Sequence, residues 1–301
     1  MIEYPRILTA FFSTPWAILP AKLEEIRALL LLRASGREVS AEQIAAASGS
    51  RRPDGVQMAG RVAVMPVFGV LSQRVGSMEK ASGGVSAEEV GAKLDALVAD
   101  RQVRAIVMAF DSPGGSVFGI QELGAKIKAA SQEKKIVGLA DSVAASAAYW
   151  LISQTAEVNI TPGGQVGSIG VLAAHQDTSE RDKAEGVKTT IITSAPYKAE
   201  GAGIEPLGEE ARTEIQAKVN HYHGLFVAAV AKGRGVTEHK VESSFGQGRM
   251  VTAKEAVGRG MADHVATLDQ VIARLGGDTG TAGGVSAMQA SARARALEVG
   301  L

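Results

Sequence analysis

The chain of 301 residues contains no cysteine, which excludes disulfides, thiolate zinc sites and a thiol nucleophile together; any covalent catalysis must use oxygen or nitrogen. No sign of charge is in excess. Thirty-two Lys and Arg balance 32 Asp and Glu, so neither nucleic acid nor an anionic membrane is expected as a partner. Long apolar runs are missing too: "ALLLL" in "KLEEIRALLLLRASG" falls far short of the roughly 18 residues of a membrane span. "ILTAFFSTPWAILP" is broken by two prolines and lacks a basic start, a poor secretory signal, and the expected location is cytoplasmic. His221 and His223 stand at i, i+2, which points their rings apart on a helix. His175, His239 and His264 lack ligand spacing and no H-E-x-x-H occurs, so no metal is expected. Neither G-x-G-x-x-G nor a Walker pattern is present, and no cofactor is expected.

Aromatics are scarce at 4%, but 46% of residues are hydrophobic and 35 are glycine, enough for a sizeable core of tightly turned units. Residues 1–55 read as a helical N-terminal appendage, with a helix near 21–33 and a second from Ser40, where Gln43 completes a capping box. "GSRRPDG" reads as a linker. From "RVAVMPVFGVL" onward, strand-like runs at 61–71, 104–110, 135–140, 157–161, 168–174 and 187–193 alternate with helical patterns at 86–100, 116–131, 144–155, 176–185 and 208–232. Such alternation predicts an α/β fold of repeated βαβ units around a largely parallel sheet. Residues 56–275 form that domain, and the Gly-rich 276–301 reads as a flexible tail.

Four stretches carry chemistry only in combination. "AFDSPGGSVFG" places Gly114 and Gly115 where a strand passes into a helix, so their N–H groups are candidate oxyanion donors; alone it is an ordinary turn. "DSVAASAAYW" sets Ser146 among alanines at the start of a helix, with the Ala147 N–H aimed at the same space; alone, Ser146 is a helix N-cap. "GQVGSIGVLAAH" contributes Ser168, alone part of a tight turn. "SAPYKAEG" contributes Lys198, alone a solvated loop lysine. With no convincing His-Asp partner in the sequence, a lysine is the base left in a suitable setting.

In their order, "DSPGG", "SVAASAAYW", "GSIGV" and "YKAEG" resemble the S49 serine peptidases, the signal peptide peptidase A family, over roughly residues 60–270. Within that family the chain looks most like the tailed-phage head maturation proteases. The resemblance implies a ClpP/crotonase-like fold and a serine endopeptidase with a Ser-Lys dyad: Ser146 as nucleophile, Lys198 as general base, Gly114, Gly115 and Ala147 as oxyanion hole, and Ser168 orienting the lysine. It also implies capsid or scaffold precursors as protein substrates, in the host cytoplasm or the prohead, and a homo-oligomer. The apolar face of the N-terminal helix (Leu23, Ile26, Leu29, Leu30), with no evident core of its own, points to association as well. A lysine at its ordinary pKa of about 10.4 cannot take the serine proton at neutral pH; desolvation is what readies it. "AASAA" stands where many members have Ser-Gly-Gly, which narrows the pocket beside the nucleophile and leans towards Ala, Ser or a modest aliphatic residue before the scissile bond. Two other readings stay open: a crotonase-type acyl-CoA enzyme, in which Ser146 and Lys198 are incidental, and an inactive structural component of a capsid.

Overall fold

The computed structural model describes residues 11–34, 55–75 and 83–277. The helix expected from Ser40, most of the linker and the tail beyond Gly277 lie outside them.

Three runs, "VAVMPVF", "AIVMAFDS" and "KIVGLADSVAA", are apolar on both faces of a strand, the pattern of a parallel sheet covered on both sides. They form β3 (Val62–Phe68), β6 (Ala105–Ser112) and β8 (Lys135–Ala145), side by side and parallel. β2 (Gln57–Ala59) closes one edge antiparallel to β3. On the other edge β8 is shared: its first half pairs with β9 (Glu157–Ile160) and its end with β10 (Gln165–Gly167). β11 (Met250–Thr252) and β12 (His264–Val265) complete this eight-stranded sheet. Alternate residues feed two cores. Met65, Ile106, Met108, Phe110 and Ile136 face the larger one, built with helices α2 (Ala87–Ala99), α3 (Ile120–Glu133), α4 (Ala147–Ile152) and α6 (Glu209–Arg234). Val62, Val64, Val107, Val137 and Leu139 face the smaller, covered by Val271 and Ile272 of α7 (Leu268–Arg274). Ser86 caps α2 as the sequence indicates, its hydroxyl accepting the Glu89 N–H at 3.3 Å.

A second sheet of four short strands carries the site. The expected strand 61–71 breaks at Gly69, whose φ of 108° is left-handed, and continues as β4 (Val70–Ser72) in this other sheet. Its order is β1 (Trp16–Ile18), β7 (Gly114–Ser116), β4, β5 (Gly84–Ser86). Part of the N-terminal segment is thereby tied into the domain. Helix α1 (Pro20–Ala34) follows β1. Its apolar face is not bare: Leu23, Ile26 and Leu30 pack with Phe11, Trp16, Ile18, Val70 and Leu172 in a satellite core.

Four expected elements need correction. Helix 116–131 starts at Ile120, leaving Gly114 and Gly115 in a strand. Helix 144–155 is only 147–152, because Ala144 and Ala145 pair with Val166 and Gly167 of β10. Strand 168–174 is irregular apart from a bridge at Leu172, and 187–193 forms no strand. The helix at 176–185 is α5 (Ser179–Ala184).

Candidate active site

Ser146 sits on the corner between β8 and α4 with φ 54° and ψ −117°. A non-glycine residue there costs on the order of 1–3 kcal/mol and persists only where its surroundings over-determine it. They do so here. The Ser146 N–H donates to the Gly167 carbonyl at 2.7 Å, and its own carbonyl accepts the Trp150 N–H at 2.9 Å. Ala144, Ala145, Ala147, Ala148 and Tyr149 on either side are fully buried. Below the corner, the Tyr149 hydroxyl donates to the Met261 carbonyl at 3.0 Å, and Trp150 stacks on Phe226 with ring centres 4.8 Å apart.

The N-cap reading of Ser146 fails on geometry. Its side chain makes no capping bond to the helix; the hydroxyl instead donates to the Gly170 carbonyl at a long 3.3 Å. The Ala147 N–H belongs to the first turn of α4, where an α-helix leaves its amides without an intrahelical partner. Gly114 (φ 97°) is packed so closely that a β-carbon would collide with the Ala17 carbonyl and meet the Ala145 carbonyl at 3.0 Å. Its backbone therefore lies against the residue preceding Ser146, and its N–H donates to Ser112 Oγ at 3.2 Å. Gly115 is hemmed in by the Leu71 backbone in the same way. Ser168 is buried just past the end of β10 with φ 52°, and its N–H donates to the Arg249 carbonyl at 2.9 Å.

The Gly114 backbone thus lies beside the Ser146 corner, whereas among the described residues no hydrogen bond ties Lys198 to that corner or to Ser168. Lys198 lies in an exposed turn over 194–200, its N–H donating to the Ala195 carbonyl at 3.2 Å. Near this turn, Tyr197 and Glu200 line an open cleft of about 410 Å³ with Glu209, Glu210, Thr213 and Glu214 of α6; no residue of the Ser146 corner contributes to it. Among the described residues there is no group of three or more His, Asp or Glu placed to hold a metal, and no helix long and apolar enough to cross a membrane.

Two features went unread in the sequence. The first is a brace behind the corner: Arg234 makes a two-pronged ion pair with Asp263 at 2.7 and 2.9 Å, and Asp263 accepts the Val158 N–H at 2.7 Å. Partial burial works to raise the Asp263 pKa, but the Arg234 guanidinium and the Val158 amide outweigh it and hold the carboxyl below its usual range. Burial pushes the Tyr149 phenol well above its usual range. The pairing spans 29 residues of sequence and carries no local motif. The second is β1, which "PWAIL" announces only as an extended run.

A buried serine on a strained strand-to-helix corner, beside the first amide of a helix and with the Gly114 backbone packed against the preceding residue, is the kind of setting in which a nucleophilic serine is held. Sequence comparison agrees in kind. The family model for peptidase family S49 matches residues 128–280, just over half of the chain, and the chain belongs to this family. Relatives include the head-tail preconnector protein GP5 of Enterobacteria phage P21, 29% identical over 75% of this chain and 45% of that protein. Capsid assembly protease C of Escherichia phage lambda is 27% identical over 72% and 49%, and the chloroplastic serine protease SPPA of Arabidopsis thaliana 26% over 71% and 32%. The chain spans about half the length of the two phage relatives.

Proposed function

We propose that the chain is a serine endopeptidase of ClpP/crotonase-like fold that cleaves capsid or scaffold precursor proteins. The observation carrying this reading is Ser146: strained, buried, and with a hydroxyl that does not cap its own helix. Attack by Ser146 Oγ on a substrate carbonyl puts the developing oxyanion near the Ala147 amide, with the amide of Gly114 or Gly115 joining it once released from its present partner, Ser112 Oγ or Ala17; fixed donors stabilise such charge best. Lys198 takes the serine proton and returns it to the leaving amine, with Ser168 orienting it. Its loop is exposed in the single chain, so desolvation of the amine falls to assembly with a second copy or to the bound substrate. The phage relatives named for capsid assembly and for the head-tail preconnector support capsid proteins as the substrate class.

The test is incubation with candidate capsid and scaffold precursors, followed by mass spectrometry of the fragments. Discrete cleavage by the wild type, absent with Ser146→Ala, is expected, together with labelling of Ser146 by a fluorophosphonate. Fragmentation that survives Ser146→Ala refutes the assignment.

A further inference from the structure

β1 is gripped from both sides. Along one edge it runs antiparallel to β7, pairing Trp16 with Ser116, Ala17 with Gly115 and Ile18 with Gly114. The ladder is closed at its ends by Leu19 N–H to the Pro113 carbonyl at 2.9 Å and Val117 N–H to the Pro15 carbonyl at 3.2 Å. In an antiparallel pair such bonds fall on alternate residues, so Ala17 is the hydrogen-bonding partner of Gly115. Along the other edge Trp16 exchanges two hydrogen bonds with Leu172, at 2.8 and 2.9 Å. Continuing that antiparallel register sets Ile18 opposite Gly170, whose carbonyl accepts the Ser146 hydroxyl. The two walls holding β1 are therefore the walls of the cleft beside Ser146, and the Gly115 amide offered for an oxyanion is occupied by Ala17.

We infer that the cleft between Gly114–Ser116 and Gly170–Leu172 is the binding site for an extended polypeptide, and that the chain's own Pro15–Leu19 is its resident occupant, displaced when substrate enters. An extended peptide added between two strand edges is held by main-chain hydrogen bonds, with side-chain positions setting selectivity. Ala17 is fully buried in the main core and Ile18 in the satellite core. The segment the cleft accepts therefore carries a small residue at the place of Ala17 and an aliphatic one after it. The large side-chain anchors of the segment, Trp16 and Ile18, belong to the satellite cluster, and Ala17 alone reaches the large core, so displacement uncovers little of the latter. The effect on cleavage rests on the peptidase reading; the occupancy itself does not.

The deciding experiment needs no catalysis. Amide exchange is followed by NMR in the full chain carrying Ser146→Ala, with and without millimolar synthetic peptide of the sequence Thr14–Pro20. The amides of Trp16, Ala17 and Leu19 should exchange at least about tenfold faster with peptide, while those of Val117 and Leu172 stay protected because the peptide takes over their partners. Unchanged exchange at Trp16, Ala17 and Leu19 overturns the inference. A second variant addresses cleavage. Trp16 and Ser116 form a non-hydrogen-bonded antiparallel pair, whose Cα spacing of about 4.5 Å suits a disulfide, and the absence of native cysteine leaves Trp16→Cys and Ser116→Cys only each other. The oxidised protein should cleave a peptide at least about tenfold more slowly than the same protein reduced; equal, measurable rates overturn the inference. Exchange that responds to peptide in a protein that cleaves in neither state instead sinks the peptidase reading.

Discussion

At the scale of single residues, the corner at Ser146 trades stability for a fixed hydroxyl. With φ 54° and ψ −117°, glycine is the one residue that adopts this backbone without strain. Ser146→Gly should therefore be more stable than Ser146→Ala by about 1 kcal/mol, roughly 2–4 °C in a chain of this size, measured by thermal unfolding. Both should lose roughly 10³-fold or more in cleavage. The position of Ser146 between a strand and a helix was legible from the pattern around it; that its hydroxyl does not cap the helix was not, because capping depends on where the corner turns. Lys198 is exposed, so Lys198→Ala should unfold within about 0.5 kcal/mol of the wild type. Cleavage should nevertheless fall about as far as in Ser146→Ala, with the double variant little worse than either single one. Lys198→Arg should not rescue, since guanidinium keeps its proton. Near-normal cleavage by Lys198→Ala would return it to the class of solvated loop lysines.

At the scale of elements, local pattern and tertiary pairing disagree in instructive places. Ala144 and Ala145 read as helix by propensity, yet they extend β8 because Ser112 and Val166 pair with Ala144 on its two sides; sheet pairing outweighs an alanine preference of a few tenths of a kcal/mol per residue. "VKTTIIT" has the β-branched texture of a strand, but residues 187–193 are exposed and pair with nothing in the fold described. Strand texture states a preference; a partner edge decides it. The parallel core was legible because burial on both faces writes itself as unbroken apolar runs. The Arg234–Asp263 brace was not, since its partners meet only when α6 packs against the segment before β12. Its energetics follow from sign. The folded Asp263 carboxyl titrates below its unfolded value of about 3.9, so the stability it contributes is present above that pH and lost as pH falls through the folded value. Asp263→Asn should cost about 2 kcal/mol at pH 7, a figure discounted because the Asp263 side chain is 35% exposed while Arg234 is 8% exposed. Thermal unfolding at pH 7 and pH 3 should show the gap between wild type and variant narrowing in acid; a gap that widens would contradict this account.

At the scale of the whole molecule, the unsatisfied surface lies where the sequence did not place it. The apolar face of α1 was expected to seek a second copy, but its satellite core covers Leu23 and packs Ile26 and Leu30. The bare apolar surface is instead on the segment leading to Lys198: Ile192 is 94% exposed, Tyr197 67% and Val187 52%. Large exposed apolar side chains clustered on one segment mark an association surface more often than scattered ones do. This surface adjoins Lys198, and under the proposed Ser-Lys mechanism packing of this segment against a second copy would both bury these side chains and withdraw water from the amine. The 301-residue chain should accordingly scatter light as a multiple of its 31.1 kDa at micromolar concentration. Ile192→Asp should shift it towards monomer, because burying an unpaired carboxylate at an interface costs several kcal/mol. The same substitution should leave unfolding of the core unchanged, since the side chain touches solvent in the single chain. Cleavage should fall with dilution across the assembly range in the wild type and be low throughout in Ile192→Asp. Full activity in a protein that remains monomeric at every concentration would place desolvation of Lys198 on the substrate alone.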